Sequence, residues 1–584
     1  MKRFFVTFAA VIAAQVLLAV IVIGTLAGFT SAFLEKLARP LSVPRHATLV
    51  QEIPATLLEF DPPQRLPFGQ RPTTETLILE NLEKARLDGR IENVVLRLEP
   101  CALGWGKMEE IRDAIHQLRD SGKKVYAHTF LINNRALYLA SACDSIFLAP
   151  EGFVWFTGVM AERMHVKDLL ETLGVALQVS RIKEYKSYPE MFTRMEMSPA
   201  VRENASRLVN DLFADIRVTI ARDRRVDPLR VDQWLEIAQF DPPDAQAVGM
   251  IDGVLVWEEL TRRLQAYRPN FASIDGRKYA GVSREQVGRK GPKVAVVHAQ
   301  GTITVGKSSS TFPFGLMMGD ETIAEALETA AKNDDIKGIL LRLDTPGGMG
   351  LASERIGRAV ERAAAVKPLV VSSVDMNASG GYMIAYRCST IVAPGNAIVG
   401  SIGSFSIRPN LAGLAEKLGI RYDRVTAGPH AAFFSTFVPL DEDEFWRFDR
   451  VHHTGYERWI AGIAAYRKLT TERVDSLGRG QVYTGRQGQA VGLVDAVGGF
   501  DMALGLLKEQ IGMSLDQQVS LVHYPAARSF WEDLRTADLP AAASRAGEFL
   551  GIGEPLGAQL EQAADFWSEW LRMEDDLLIC EWRF

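Results

Sequence analysis

A strong charge of one sign, clustered cysteine and a recognisable catalytic histidine are all missing from this sequence. Among 584 residues, 66 are basic and 72 acidic, so the formal charge is −6. That balance is too mild to point to nucleic acid as a partner. The four cysteines, Cys101, Cys143, Cys388 and Cys580, form no CxxC and no Cys/His cluster. A zinc site therefore has no support, and four thiols in so long a chain read as inert. Nine histidines are present, but His298 and His430 stand in no triad-like setting. The G-x-S-x-G elbow is also absent. What is there is ordinary globular material, 47% apolar and 24% charged, enough for several structural units. It excludes a disordered chain, collagen and a small disulfide scaffold.

The N-terminus departs from that composition. No charge occurs from Phe4 to Leu34. This exceeds the roughly 20 apolar residues that cross a bilayer and the apolar core of about 7–15 residues of a cleaved signal. It reads as an uncleaved anchor. Lys2 and Arg3 precede it while Lys36, Arg39 and Arg45 follow, so charge bias does not set its orientation. No later stretch is apolar enough to span, which places nearly all of the chain on one side.

Beyond the anchor the chain repeats itself. Asn93–Glu99 (NVVLRLE) echoes Gly338–Asp344 (GILLRLD), Ala149-Pro150 echoes Ala393-Pro394, and Gln246–Gly253 (QAVGMIDG) echoes Gln489–Ala496 (QAVGLVDA). The offsets are 245 at the arginines, 244 at the prolines and 243 at the glycines. Ordered matches at nearly one offset indicate a duplicated domain. A Gly-, Arg- and Lys-rich boundary fits at Pro269–Lys293. In the second copy, strands are expected at Val294–Val297, Ile339–Leu343 and Leu369–Val374, and helices at Glu321–Lys332 and Ala352–Ala365. Such alternation predicts a mostly parallel sheet covered by helices, with reactive loops beyond the carboxyl ends of the strands.

Two of those loops stand out. Asp344–Gly350 (DTPGGMG) places adjacent glycines after a strand, where backbone amides can turn outward. Asn377–Tyr382 (NASGGY) places Ser379 before two glycines and a helical-looking run. A serine there is usually a helix cap. It is also where a nucleophile would sit, with the Gly380 amide as one oxyanion donor and Gly347 or Gly348 as the second. In the first copy Arg135 stands opposite Ser379, and Ala102 and Leu103 stand opposite Gly347 and Gly348. Residues needed only for the fold would be wanted in both copies, so the asymmetry favours a site in the second. A base must accompany the serine. A lysine serves only if burial lowers its pKa. Lys183 and Lys186 sit among apolar neighbours in Ser180–Pro199, and the repeat equivalent of Lys186 falls near Pro429. Composition and spacing do not choose between them.

The block from Asp344 to Phe405, with EYKSYPEMF and MSPAVRE in the first copy, resembles the signal peptide peptidase A (protease IV) family in its long membrane-anchored form. The resemblance covers almost the whole chain. It implies two tandem α/β repeats of crotonase/ClpP-like superhelical type behind one transmembrane helix. It divides the chain into residues 1–46 (anchor), 47–285 (first repeat, supplying a lysine base), 286–522 (second repeat, supplying a serine nucleophile) and 523–584 (tail). The A-S-G-G segment implies Ser379 as nucleophile, and Y-K-S implies Lys186 as base. Ser401 in GSIG matches a serine that holds the lysine amine in line. Gly380, Gly347 and Gly348 remain the oxyanion candidates. Pro346–Gly350 and Tyr188–Glu190 depart from the family pattern without removing a chemical group.

The resemblance further implies a homotetramer in the bacterial inner membrane, with its catalytic part on the periplasmic side. It would cut released signal peptides and need no metal or other cofactor. Nucleic acid is not an expected partner. Phe433, Phe434 and Phe437 are candidates for an apolar cleft lining. A crotonase-type acyl-CoA enzyme and a non-catalytic membrane scaffold are the alternative readings.

Overall fold

A computed structural model describes residues 43–61, 72–266, 272–288, 291–311 and 315–526. The apolar segment Phe4–Leu34 and the tail with Trp567, Trp570 and Leu571 lie outside the described residues. Among the described residues no helix is long and apolar enough to cross a membrane.

The chain has a mixed α/β fold with two main sheets. In the first, β1 (Ala47–Ile53), β2 (Ile91–Leu98), β3 (Lys124–Ile132) and β4 (Ser145–Trp155) run parallel in sequence order. Gln239–Phe240 adds an antiparallel edge beyond β4, and Ala272–Asp275 a parallel edge beside β1. In the second sheet, β6 (Lys293–Gln300), β7 (Ile336–Thr345) and β8 (Leu369–Ala378) lie in the same order. Val482–Thr484 forms its antiparallel edge through Ile398–Gly400, and Ser520–Tyr524 its parallel edge beside β6. Strand for strand, the second sheet repeats the first. The expected strands and helices of the second copy are all present, each somewhat longer than its apolar run. β7 adds Ile336 and Thr345 at its ends, for example, because ladder hydrogen bonds extend pairing past the residues whose side chains need burial.

The central strands are nearly continuous apolar runs because both faces are covered. Val294 to Val297, Leu340, Leu341, Val370 and Val371 are each at most 1% exposed. Helix Gly350–Val366 buries Ile356, Ala359 and Val360 on the stripe that its spacing predicts.

Three contacts between the copies shape the cleft. First, β5 (Ala176–Arg181) pairs antiparallel with β9 (Phe405–Asn410) of the other repeat. Second, helix Trp105–Asp120 of the first copy lies on β8. Its approach is so close that a Cβ at Gly106 would stand 2.2 Å from the Val374 carbonyl oxygen. Third, Asn204 on helix Pro199–Arg224 exchanges two hydrogen bonds with the Val482 backbone, at 2.9 and 3.0 Å. Each contact crosses from one repeat to the other.

Candidate active site

Ser379 stands where β8 ends and the short helix Gly380–Ala385 begins. Its backbone is at φ 55°, ψ −115°, a conformation that is costly for a residue with a side chain. Two backbone bonds enforce it: Ser379 N donates to Gly400 O at 2.8 Å, and Met383 N donates to Ser379 O at 3.0 Å. The hydroxyl makes no capping bond to its own helix. The sharp strand-to-helix turn thus points Oγ away from the helix, as a nucleophile elbow does without the G-x-S-x-G sequence.

The glycines divide their roles. A Cβ on Gly347 (φ 104°) would lie 2.7 Å from the Ser379 Cβ and 2.9 Å from the Gly380 nitrogen. Glycine is required there for the two turns to touch. The Gly347 N–H donates to Thr345 Oγ1 at 3.1 Å and its carbonyl accepts from Ile303 N at 3.0 Å, so both of its polar groups are engaged. Gly348 (φ 155°) is exposed, and its amide donates to no group among the described residues. It lies beside the amide of Gly380, which opens its helix and has no intrahelical acceptor. Gly348 and Gly380 are therefore the pair available to a ligand oxygen, and Gly347 is the spacer that brings them together.

The amine next to Ser379 comes from the first repeat. Lys186 Nζ is 2.9 Å from Ser379 Oγ, 2.9 Å from Ser401 Oγ and 3.0 Å from the Ser401 carbonyl oxygen. The lysine is 4% exposed, and burial lowers its pKa to about 7 with no charged neighbour contributing. A neutral amine has two N–H donors and one lone pair. Donation to the two Ser401 oxygens leaves the lone pair facing the Ser379 hydroxyl. Lys183, the alternative, is exposed at φ 63°. Ser401 is itself fixed by a 2.6 Å bond from its N–H to Gln481 O.

Several supporting residues were not singled out from the sequence. A Cβ on Gly480 would lie 2.3 Å from the Lys186 nitrogen, so the Gly478–Gln481 turn is a floor pressed against the lysine backbone. The repeat comparison carried that signal. Leu235 and Ile237 stand opposite Gly478 and Gly480 at the same offset of 243. Glu190, within the departure Tyr188–Glu190, accepts from Arg181 Nη1 at 2.8 Å and from Ser198 N at 3.1 Å, bracing the lysine loop at both ends. Phe434 is 90% exposed and Phe437 stacks on Tyr422 at 4.0 Å. Among the described contacts, none joins the Phe433, Phe434 or Phe437 rings to Ser379 or Lys186.

Burial of Lys186 has a stability cost with a definite sign. Its folded pKa of about 7 lies below the ordinary lysine value of 10.5. Between those two values the unfolded chain holds one more proton, so stability rises with pH across that window. Lys186→Met removes the desolvated amine and is expected to stabilise the fold at pH 7 by about 1–3 kcal/mol. The advantage shrinks toward pH 10. Urea titrations at both pH values check this, and a variant less stable than the parent at pH 7 would contradict it.

The model of peptidase family S49 matches residues 117–268 and 361–514, two segments that start 244 residues apart. The chloroplastic serine protease SPPA of Arabidopsis thaliana is 28% identical over 451 residues, 76% of this chain and 66% of that protein. Protease 4 of Salmonella typhi is 31% identical over 448 residues, 74% of this chain and 71% of that protein. Protease 4 of Haemophilus influenzae is 29% identical over 457 residues, 75% and 73% respectively. With a family model across both repeats and a serine poised at a strained turn, this chain belongs to peptidase family S49 and is a serine peptidase.

Proposed function

We propose that the chain is a membrane-anchored endopeptidase in which Ser379 and Lys186 act as a catalytic dyad on released signal peptides and other unfolded apolar peptides. The observation that carries this reading is the 2.9 Å contact between a dry lysine amine and a serine hydroxyl. Neutral Lys186 takes the Ser379 proton as Oγ attacks a peptide carbonyl carbon. The amides of Gly348 and Gly380 receive the oxyanion. Lys186 then returns the proton to the leaving amine, and the C–N bond breaks. Water, giving a proton to Lys186, attacks the acyl ester, and Lys186 passes that proton to Oγ as the ester C–O bond breaks and Ser379 is freed. Ser401 keeps the amine in line throughout.

The finer architecture belongs to the same reading: two crotonase/ClpP-like superhelical repeats, supported by the duplicated strand order. So do the N-terminal anchor, placement in a bacterial inner membrane with the cleft on the periplasmic side, and a homotetramer. Met349, 53% exposed next to Gly348, supplies apolar surface at the turn beside the serine. Such a surface suits apolar peptide cores.

Three measurements test the proposal. A fluorophosphonate should label Ser379, with labelling lost in Ser379→Ala. The value of kcat/KM should rise with pH through about 7 as Lys186 loses its proton. Selectivity is read by comparing a signal peptide, a polar peptide of equal length and a stable folded domain. Equal rates on all three would remove the substrate reading while leaving the chemistry intact.

A further inference from the structure

The first repeat has lost the groups that the second uses, yet its cleft is not filled in. A cavity of about 570 Å³ remains beyond the ends of β2 and β3, at the position equivalent to the Ser379 cleft. Its walls include Ala102, Trp105, Met160, Leu212 and, from the second repeat, Ile398. Met160 is 78% exposed at its mouth. Among the residues lining it, Arg135 is the only charged one.

In the alignment of the repeats Arg135 falls opposite the nucleophile, and in the fold it stands on the first turn of helix Asn134–Ala140, just past the cap Asn133. Its Nη1 donates to the Ala102 carbonyl at 3.1 Å, and its guanidinium lies over the Trp105 ring at 5.3 Å. These two contacts hold the planar group at the head of the cavity. It forms no salt bridge among the described residues, and most of its five N–H groups have no protein acceptor. The neighbouring amides do not compete for a ligand. Asn133 Nδ2 donates to Cys101 O, and Asn134 Nδ2 donates to Gly158 O. The result is one oriented cation without an ion-pair partner among the described residues, above a trough in which Ala102, Trp105, Met160, Leu212 and Ile398 form the apolar wall and Asn396 and Thr484 part of the rest.

We propose that this cleft binds the C-terminal carboxylate end of an apolar peptide, with Arg135 as its receptor. In the second repeat a peptide carbonyl meets Ser379 and the chain can continue past it. In the first repeat a guanidinium stands at that point, so a chain ends there rather than passes. A carboxylate presents two oxygens to the guanidinium fork, and the trough takes the apolar residues that precede it. The source of such ends rests on the peptidase reading above. Every cut made by an endopeptidase creates a new C-terminal carboxylate, so partly degraded peptides are the ligands at hand. A fragment held by its end stays on the enzyme for further cutting.

The test uses the full chain carrying Ser379→Ala and reads binding, so it does not depend on turnover. The probe is a fluorescent, leucine-rich ten-residue peptide, as the free acid and as the C-terminal amide. By fluorescence anisotropy the acid should bind about tenfold to a hundredfold more tightly than the amide, the range for a lost charge-assisted pair. Adding Arg135→Gln should abolish that preference, and Arg135→Lys should keep part of it. A photoreactive residue at the peptide C-terminus should label Ala102–Trp105 or Gly158–Ala161. Equal binding of acid and amide, or labelling confined to the Ser379 cleft, would overturn the inference. Failure of fluorophosphonate to label Ser379 in the parent chain would instead count against the peptidase mechanism, so the two are told apart.

Discussion

Ser379→Ala and Lys186→Ala should each lower peptide turnover by about 10⁴-fold, and the double variant should be hardly worse than either one. The reason is mutual dependence. A serine hydroxyl is a poor nucleophile without a base, and Lys186 has no other proton to take in the reaction. The geometry leaves no substitute base. Lys183 is exposed, and no carboxylate contributes to the environment of Lys186. Residual activity should come from the Gly348 and Gly380 amides and from substrate binding. Single-turnover assays on a signal peptide read the effect, with circular dichroism showing that the fold persists. Additive losses, or activity that depends on Lys183 instead of Lys186, would refute the assignment.

Arg342→Met should destabilise the protein by about 3–5 kcal/mol, lowering its melting temperature by roughly 3–5 °C. Arg342 is 1% exposed on β7 and is met by carboxylates from the first repeat. Its Nη1 and Nη2 donate to the two Glu110 oxygens at 2.8 Å each, and its Nε donates to Glu59 Oε1 at 3.0 Å. Glu75 lies 3.6 Å away with both oxygens lacking hydrogen-bond partners. Burial, reinforced by the Glu110 charge, raises the Glu75 pKa well above the usual carboxylate range. Burial opposes ionisation of Glu59 as well, but His298 and Arg342 outweigh it and hold that carboxylate ionised. Removing the guanidinium takes both hydrogen bonds from Glu110 and leaves Glu59 with His298 as its buried partner. Because those acids belong to the first repeat, the loss falls on a buried contact between the two repeats. The control is the repeat counterpart Arg97, 48% exposed and 3.6 Å from Glu52. Arg97→Met should change stability by no more than about 0.5 kcal/mol. Equal effects at the two positions would show that the buried network does not join the repeats.

Arg97 and Arg342 also show where sequence reasoning stops. Both sit in nearly identical strands, and their alignment helps to reveal the duplication. Nothing local separates the exposed one from the buried one. The difference arises because helix Trp105–Asp120 of the first copy lies across the second sheet, bringing Glu110 with it and carrying Lys107 to Asp375 and Asp344, at 2.5 Å each. The same limit applies at the cleft. The DTPGG and NASGGY loops were legible as candidates for an oxyanion turn and a nucleophile turn because the first copy lacks the serine and the glycines, whereas each loop alone reads equally as a tight turn or a helix cap. The division of labour between Gly347 and Gly348 was not, since it depends on which amide Thr345 occupies.

The sequence by itself determined the alternation of strands and helices, the duplication, and the presence of the serine and glycine turns in one copy only. Each of these rests on local periodicity or on a comparison within the chain. It did not determine the partner of Ser379. Bare spacing left Lys183 and Lys186 equivalent, and only the resemblance to known peptidases separated them. In the folded chain β5 pairs with β9, the Gly478–Gln481 turn packs under the lysine backbone, and Lys186 meets Ser379 across 193 positions of sequence. That meeting, and the burial that lowers the amine's pKa to about 7, belong to the tertiary structure alone. Desolvation is a property of what packs around a group, and here the packing comes from the other repeat.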